Sequence, residues 1–552
     1  MIRTRFKKLV DNCFVEGVRS DQWSDAAADK YAVEIPKHEN QGDFSTNIAL
    51  VLAGIEKRNP REIATQVAQC LERHKDFIDR VEIAGPGFVN VNIAQSVWPQ
   101  LLKEIEIRHD SFGHSNVGAN QRVMVEFVSA NPTGPLSIGH GRQAILGDGI
   151  ARLLEATGHN VYREYYYNDA GRQMRVLGES ARARYLELMG KNYQFPEDGY
   201  QGQYIYDIAR KLIDNHGQSL ADTDSVEPFK EAAEESIFED ISATLARMGI
   251  TFDNYYNEQS LYENGHVDSV VKELTDKGLV YVKDGATWFR TTELGQEKDR
   301  VIIKSSGEPT YRLPDIAYHR EKFKRNFEWL IDIFGSDHIA TVPDVKAGVE
   351  ALGYDPEKIT VILHQFVTLM RDGKQVKMST RKANFITVDE LLDEVGVDAA
   401  RFFFMMRKPD SQLEFDLDLA TKESQENPVY YVQYAHARLC SILRQAEEKG
   451  VQLVKSRDAD LSLLAEPEEI RLLKQMGSFP TLIESCALEL EPYRLIFYLM
   501  ELAGQFHSYY NKHKVISDAV ELSRSRLCLV AGLRTVFGNG LKILGLSAPE
   551  QM

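Results

Sequence analysis

Through the middle of the chain, apolar residues come in short runs. Each is closed by a Gly- or Pro-rich turn and followed by a stretch that is apolar every third or fourth residue. VMVEFV (123–128) is such a run, with the length and density that predict a buried strand. Beyond it, Ile145, Leu146, Ile150, Leu153 and Leu154 share one helical face. Asn131, Pro132, Gly134, Pro135 and Gly139 lie between, with His140 where the helix begins. NVYREYYYND (160–169) predicts a second strand, ending in Asn168 and Asp169 ahead of the helical AGRQMRVLGESARARYLEL. Strand, helix, strand, helix implies a parallel sheet with helices on its faces. Residues from about 190 to 300 are mixed: helices, an extended TFDNYYNEQSLY and a hairpin-like VYVKDGATWFRTTEL. They are read in part as an insertion. The doubly wound pattern then resumes. VIIKSSGEPTYRLPDIAYHREKF offers strand, turn and helix, WLIDIFGSDH strand and turn, and ITVILHQFVTLM a further strand run leading into RDGKQVKMSTRKANF.

The two ends of the chain follow other patterns. In residues 1–115 a helical stretch (6–18) precedes a polar segment, where Gly42 and Asp43 lead into a helix carrying Asn47. A second helix has Pro60 in its first turn. RVEIAGPGFVNVNIA then reads as strand, turn, strand, so this region is an α/β module. From about 390 onward, five stretches show apolar residues three or four apart, the pattern of an all-α bundle. Tyr430, Tyr434 and Arg438 fall one turn apart on one face. The expected division is 1–115, 116–390 with an insertion at about 190–300, and 391–552.

Composition narrows the function classes. The 552 residues carry a net charge of −17. That argues against non-specific nucleic-acid binding by the whole surface but leaves room for a local basic path. No run approaches the ~20 apolar residues that span a bilayer, and the basic N-terminus has no apolar core after it, so a cytoplasmic protein without a membrane partner is expected. Cys13, Cys70, Cys440, Cys486 and Cys528 are scattered without a C-x-x-C pair, so they are expected to be buried or incidental thiols rather than a zinc site or disulfide framework.

The chemistry gathers at two loops. A turn between strand and helix lies where open parallel sheets bind ligands, and a helix N-terminus suits phosphate. Gly139 lets a ligand approach the backbone, and His140 can hydrogen-bond a phosphate or steady charge developing on it. The second loop, Lys377-Met378-Ser379-Thr380-Arg381-Lys382, also follows an apolar strand and offers ammonium and hydroxyl groups. Each loop is expected to follow a strand of one sheet, so that together they can grip a triphosphate whose α-phosphorus is attacked. In GPGF the plain reading is a β-turn, although Phe88 beside Asn90 could stack on and hydrogen-bond a base.

These residues carry a resemblance. Ser137-Ile138-Gly139-His140 and Lys377-Met378-Ser379-Thr380-Arg381 resemble the two signatures of class I aminoacyl-tRNA synthetases. SANPTGPL, YYNDAGRQM, PTYRLPDIAYH, GSDH, KMSTRKAN, YYVQYAHARL and the terminal APEQM, in order, resemble the arginyl-tRNA synthetase family. The resemblance implies a Rossmann-type catalytic core, an N-terminal α/β module that contacts tRNA and a C-terminal helical bundle that reads the anticodon. It implies ligation of L-arginine to tRNA(Arg) through an arginyl-adenylate, with ATP as substrate, Mg²⁺ on its phosphates, no zinc, and a monomer. Ala130, Asn131, Pro132, Thr133, Gly134, Pro135, Leu136, Ser137, Ile138, Gly139 and His140 would hold ATP, with Met378, and with Gly335 and Asp337 near the ribose. His140, Lys377 and Ser379 would be catalytic. Glu126, Asn131, Glu258, Tyr311 and Asp315 would form the arginine pocket, consistent with the bidentate carboxylates a guanidinium prefers. Phe88, Asn90, Tyr431, Tyr434, Arg438, Tyr510, Lys514 and Met552 would meet tRNA. Two positions depart from the signatures: Ser137 stands where the first histidine is usual, and Thr380 where the second lysine is, leaving Arg381 or Lys382 to supply that charge. A ligase for another amino acid and a non-catalytic RNA-binding paralogue are the rival readings.

Overall fold

The computed structural model describes residues 2–36, 38–191, 193–376 and 386–552, apart from the side chains of Glu39, Asp337 and His338. At the N-terminus, α1 (Ile2–Arg19) buries Phe6, Val10, Cys13 and Phe14, a spacing that lays one face on the core. It packs with α2 (Ile48–Glu56) and α3 (Pro60–Leu71) on an antiparallel sheet of order β1-β2-β4-β3: β1 (Val33–Glu34), β2 (Phe44–Thr46), β3 (Ile78–Ala84) and β4 (Phe88–Ile93). Two expectations are corrected here. Gly42 and Asp43 lead into strand β2 rather than a helix, and Asn47 stands at the N-cap of α2, its Oδ1 accepting from the Ala32 N–H at 2.7 Å. Cys13 and Cys70 are joined in a disulfide between α1 and α3, whereas the remaining cysteines are buried thiols. Helix packing brings the pair together from 57 residues apart, which no short cysteine motif reveals.

After α4 (Leu101–Arg108), β5 (Arg122–Glu126), α5 (Ile138–Ala156), β6 (Asn160–Tyr167) and α6 (Gly171–Leu188) run as the hydrophobic pattern predicts. α7 (Gln203–His216) and α8 (Glu227–Arg247) pack on α6. β7 (Asn254–Asn257) then pairs in parallel with β6, so part of the expected insertion belongs to the main sheet. α9 (Gln259–Glu263) and α10 (His266–Asp276) precede β8 (Val280–Lys283), β9 (Ala286–Phe289) and β10 (Arg300–Ile303), which form a separate antiparallel sheet. The VIIKSS run is therefore not a strand of the doubly wound sheet: β10 completes a meander with the hairpin before it. α11 (Arg312–Lys324), β11 (Trp329–Gly335), α12 (Val342–Ala351) and β12 (Ile359–His364) complete a parallel sheet of order β12-β11-β5-β6-β7.

ITVILHQFVTLM, expected as one strand, breaks at Gln365, whose N–H bonds to Pro409 O and whose carbonyl accepts from Arg142. Its second half is β13 (Val367–Arg371), which joins β14 (Lys374–Gln375) and the later β15 in a small fourth sheet. The loop at 377–382 thus follows β14 of that sheet, not a strand of the main one. After the loop come α13 (Val388–Val395), α14 (Val397–Met405), β15 (Leu413–Asp416) and α15 (Leu417–Ala420). α16 (Pro428–Glu448), α17 (Pro467–Glu489), α18 (Tyr493–Lys512) and α19 (Val520–Ile543) then form the helical bundle. The buried Arg401 ties the bundle to the core, donating to Asp148 on α5, to Met248 O and to Leu544 O.

Candidate active site at the carboxyl end of the parallel sheet

β5 ends at Glu126, and the chain then turns sharply through Val128 (φ 67°) and Ser129 (φ 43°), a left-handed conformation uncommon for non-glycine residues and costly for a β-branched one. Neighbouring bonds hold the turn. Ser129 Oγ donates to Glu126 at 3.0 Å and accepts from the Tyr166 N–H; Ala130 O accepts from Tyr165; Asn131 Oδ1 accepts from the Asn168 N–H. Further on, Thr133 O accepts from Tyr204. These contacts fix residues 129–134 against the end of β6 and leave the side chain of Asn131 exposed.

Ser137 caps α5. Its Oγ accepts from the His140 N–H at 3.5 Å, and its own N–H donates to His140 Nδ1 at 3.3 Å. With Nδ1 acting as acceptor, the neutral ring carries its proton on Nε2. Burial pushes the His140 pKa down to about 4, so the ring is neutral at physiological pH. Gly147 lets α5 settle on the sheet, since a Cβ there would lie 2.3 Å from the Phe127 ring. Ile138 and Gly139 hold first-turn N–H groups that no intrahelical carbonyl can reach.

Lys377, Met378 and Ser379, with Thr380, Arg381 and Lys382, lie outside the described residues. Their flanks do not. The chain leaves at Val376, bonded to Leu369, and on its return Thr387 bridges to Ser137 while the Val388 N–H donates to Leu136 O. The segment that follows the second loop therefore meets the first turn of α5, although the strand before the loop belongs to another sheet. Gly335 ends β11, in register with His364, and Asp337 sits in the short helical turn that follows.

The acids divide into two groups. Glu126 is buried, and both of its oxygens are engaged: Oε2 by Lys322 Nζ at 2.5 Å and Oε1 by Ser129. Lys322 also donates to Asp332 at 2.6 Å; Asp332 bonds His319 Nε2 at 2.9 Å; His319 Nδ1 faces Asp315 O at 2.7 Å. Burial would raise the Asp332 pKa, but Lys322 and His319 outweigh it and hold the carboxyl low. Asp315 has no such partner for its carboxylate among the described residues. Burial, with Glu258 and Glu126 adding and His319 and Lys322 opposing, pushes it up to about 7. Glu258 is likewise raised by burial, against a hydrogen bond from Tyr166 at 2.8 Å. Tyr311 stands at the start of α11 and is 84% exposed, at the rim rather than inside. Asp169, bonded by Asn257, and Glu234 add a further carboxyl pair, in which burial and Asp169 push Glu234 up to about 7. Sequence reasoning missed Lys322, His319 and Asp332. The signal was available for two of them: Asp315, His319 and Lys322 are spaced four and three apart, one face of a helix.

On the RNA-facing candidates the geometry is mixed. Phe88 is exposed, but Asn90 is buried on β4 and accepts from Ser45 at 2.7 Å, so only Phe88 of that pair offers its side chain to solvent. Tyr431, Tyr434, Arg438 and Tyr510 form one half-buried patch. His507 packs between the Tyr431 and Tyr434 rings, while Arg438 bonds Tyr434 and lies over the rings of Tyr434 and Tyr510. Lys514 and Met552 are exposed.

Three family models match in order: an arginyl-tRNA synthetase N-terminal domain over residues 1–93, a class I (R) tRNA synthetase catalytic domain over 103–417, and a DALR anticodon-binding domain over 432–552. The chain is 70% identical to an arginine–tRNA ligase of Desulfotalea psychrophila over the full length of both, and 49% identical to that of Salinibacter ruber over 94% of this chain and 95% of the relative. Among solved structures, an arginyl-tRNA synthetase of Campylobacter jejuni superposes with a TM-score of 0.77 at 32% identity, covering 83% of this chain and 100% of that one. The synthetase of Thermus thermophilus, at 22% identity and a TM-score of 0.76 over 100% of both chains, shares the fold. The chain belongs to the arginyl-tRNA synthetase family.

Proposed function

We propose that this chain ligates L-arginine to tRNA(Arg) in two steps. The arginine carboxylate attacks the α-phosphorus of ATP, forming the mixed anhydride and expelling pyrophosphate. A terminal ribose hydroxyl of tRNA then attacks the acyl carbon, forming the ester and expelling AMP. The observation that carries this reading is the placing of a capped helix N-terminus, with a neutral histidine, beside two half-buried acids, Asp315 and Glu258, that no cation pairs among the described residues.

Each part of the mouth has a task. The N–H groups of Ile138 and Gly139 and the Nε2–H of His140 meet phosphate oxygens as charge builds on them. A neutral ring keeps this donor without repelling or attracting protons as the step proceeds. Residues 130–137, Gly335 and Asp337 shape the nucleotide site, and Lys377, Met378 and Ser379 close on it from the loop that returns to Ser137. Glu258 and Asp315 receive the guanidinium, Asn131 borders both substrates, and Tyr311 covers the rim. Glu126, saturated by Lys322 and Ser129, forms the floor. Mg²⁺, carried on the ATP phosphates, would neutralise part of their charge.

We assign residues 1–115 and 391–552 to tRNA contact, through Phe88 with Asn90 behind it, and through Tyr431, Tyr434, Arg438, Tyr510, Lys514 and Met552. Residues 116–390 carry the chemistry in a cytoplasmic monomer. No helix among the described residues is long and apolar enough to cross a membrane. Arginine-dependent ATP–pyrophosphate exchange, measured with and without tRNA, tests the proposal. Exchange with arginine alone among the amino acids is expected; no exchange in either condition sinks the enzyme reading, and exchange with another amino acid sinks the specificity.

A further inference from the structure

A cavity of about 430 Å³ lies between α16, α19, the C-terminal tail and the turn after α4, away from the Tyr431–Tyr434–Arg438 patch. It is open to solvent past the exposed His109, Lys542 and Glu550. His436, 6% exposed, is held with its Nδ1–H donated to Pro549 O at 2.9 Å. Its Nε2 points across the cavity toward Gly538, 3.8 Å from where a Cβ there would stand. Among the described residues that nitrogen has no partner. Burial and the Arg534 guanidinium lower the ring's pKa, so Nε2 presents a lone pair, an acceptor without a donor. Solvent reaches this atom through the cavity, so a ligand N–H would take the place of water there.

The walls add the complementary charge. Arg534 and Lys542 line the cavity, and neither has an ion-pair partner among the described residues. They lie eight residues apart on α19, about 12 Å along the axis at 1.5 Å per residue. Two carboxylates line the rim as well: the exposed Asp110, 2.7 Å from His109, and the exposed Glu550. An acceptor at the centre with cations toward the ends does not suit a small ion. It suits a ligand with N–H donors at one end and an anionic group at the other, in a volume typical of small-ligand sites.

We propose that this cavity is a subsite for one nucleotide unit: the base edge donates to His436 Nε2, the backbone of α19 at Gly538 forms the floor, and the phosphate pairs with Arg534 or Lys542. The unit is a nucleotide of the bound tRNA or a free nucleoside monophosphate, which share this chemistry. The tRNA source rests on the ligase reading above; the cavity itself does not.

The test uses the full-length protein and two variants. Gly538→Leu fills the cavity from a position where a Cβ meets nothing closer than 3.8 Å, and Arg534→Glu reverses the charge at a half-buried position of α19. Binding of CMP and of UMP, which lack the adenine the ATP site takes, is followed by calorimetry, and tRNA(Arg) affinity by filter binding. Saturable pyrimidine-nucleotide binding is expected in the wild type and absent in both variants. A tRNA dissociation constant raised about tenfold in both, with the arginine KM unchanged, identifies the occupant as part of tRNA. Lost nucleotide binding with tRNA affinity unchanged identifies a free nucleotide. Nucleotide and tRNA binding both unaltered in melting-competent variants overturns the proposal. A wild type that binds no tRNA at all counts against the ligase reading alone, and the CMP arm still decides the cavity.

Discussion

Two sets of carboxylates meet at the same end of the same sheet, and they differ in whether a cation is supplied to them. Glu126 and Asp332 are buried and fully engaged, with Lys322 between them and His319 and Ser129 completing their shells. Asp315 and Glu258, a few side chains away, are half-buried without a cation to pair with, and burial raises their pKa values, as it raises that of Glu126 against the pull of Lys322. A buried charge with its partners supplied belongs to the architecture. One held short of partners stores an electrostatic demand that a ligand can meet. Composition alone does not separate the sets; the position of one lysine does.

Removing that lysine is the largest test of the contrast. Lys322→Met strands Glu126 and Asp332 in the core without their shared cation, a change expected to cost about 3–5 kcal/mol. Chemical denaturation should show the loss directly, with the midpoint falling and the slope kept. A variant as stable as the parent would mean that the floor acids are not held by Lys322, and the division drawn above would collapse.

Asp315 should respond in the reverse sense. Asp315→Asn removes a charge that the empty protein holds unfavourably, so stability at pH 8 should stay level or rise. The arginine KM should climb about 100-fold, as for a charge-assisted pair worth up to ~3 kcal/mol, while the ATP KM moves little. The pH dependence follows with its sign fixed. The folded pKa of about 7 lies above the carboxyl's ordinary value. The folded state therefore holds more protons than the unfolded one between those limits, and this group's contribution to stability falls as pH rises through that window. Arginine takes the ionised form, so log kcat/KM for arginine should rise with unit slope below about pH 7 and level off above it. The slope should vanish in Asp315→Asn; a slope that persists there assigns the titration elsewhere.

Much of this was legible along the chain. The 3.6 and strand-length periodicities located β5, α5, β6, α6 and the bundle helices, because each buries one face or one run in a single core. β7 and β10 were misplaced for a physical reason. NYYN at a sheet edge and RVII in a meander differ little in hydrophobicity from strands of the other kind, and only pairing partners decide between them. The acids of the mouth were found by resemblance. Lys322 escaped because a lysine in a surface-like REKFK segment reads as solvated, and nothing local announces that it lies against Asp332 ten residues on. Asn90, offered to a base beside Phe88, turns out buried, because strand alternation fixes which residues share a face, not how far along the strand that face is covered.

The smallest effect concerns the other pole of the mouth, where no carboxylate is involved. Ser137 stands where the family signature has its first histidine, and it uses its side chain to cap α5 and its N–H to hold His140 Nδ1. The backbone donor survives any substitution, but the 3.5 Å Oγ contact does not. Ser137→Ala should therefore cost about 1 kcal/mol or less, as for a weakly made cap. The Nδ1 bond that sets the tautomer remains, so Nε2–H still faces the phosphates and kcat should fall only a few-fold with the arginine KM unchanged. Equilibrium unfolding and single-turnover exchange measure the two halves of this expectation. A loss in kcat approaching that of His140→Ala would show that the serine hydroxyl itself reaches the nucleotide. In that case the phosphate side, like the arginine side, would be made of groups left unpaired for a ligand rather than of groups that pair with one another.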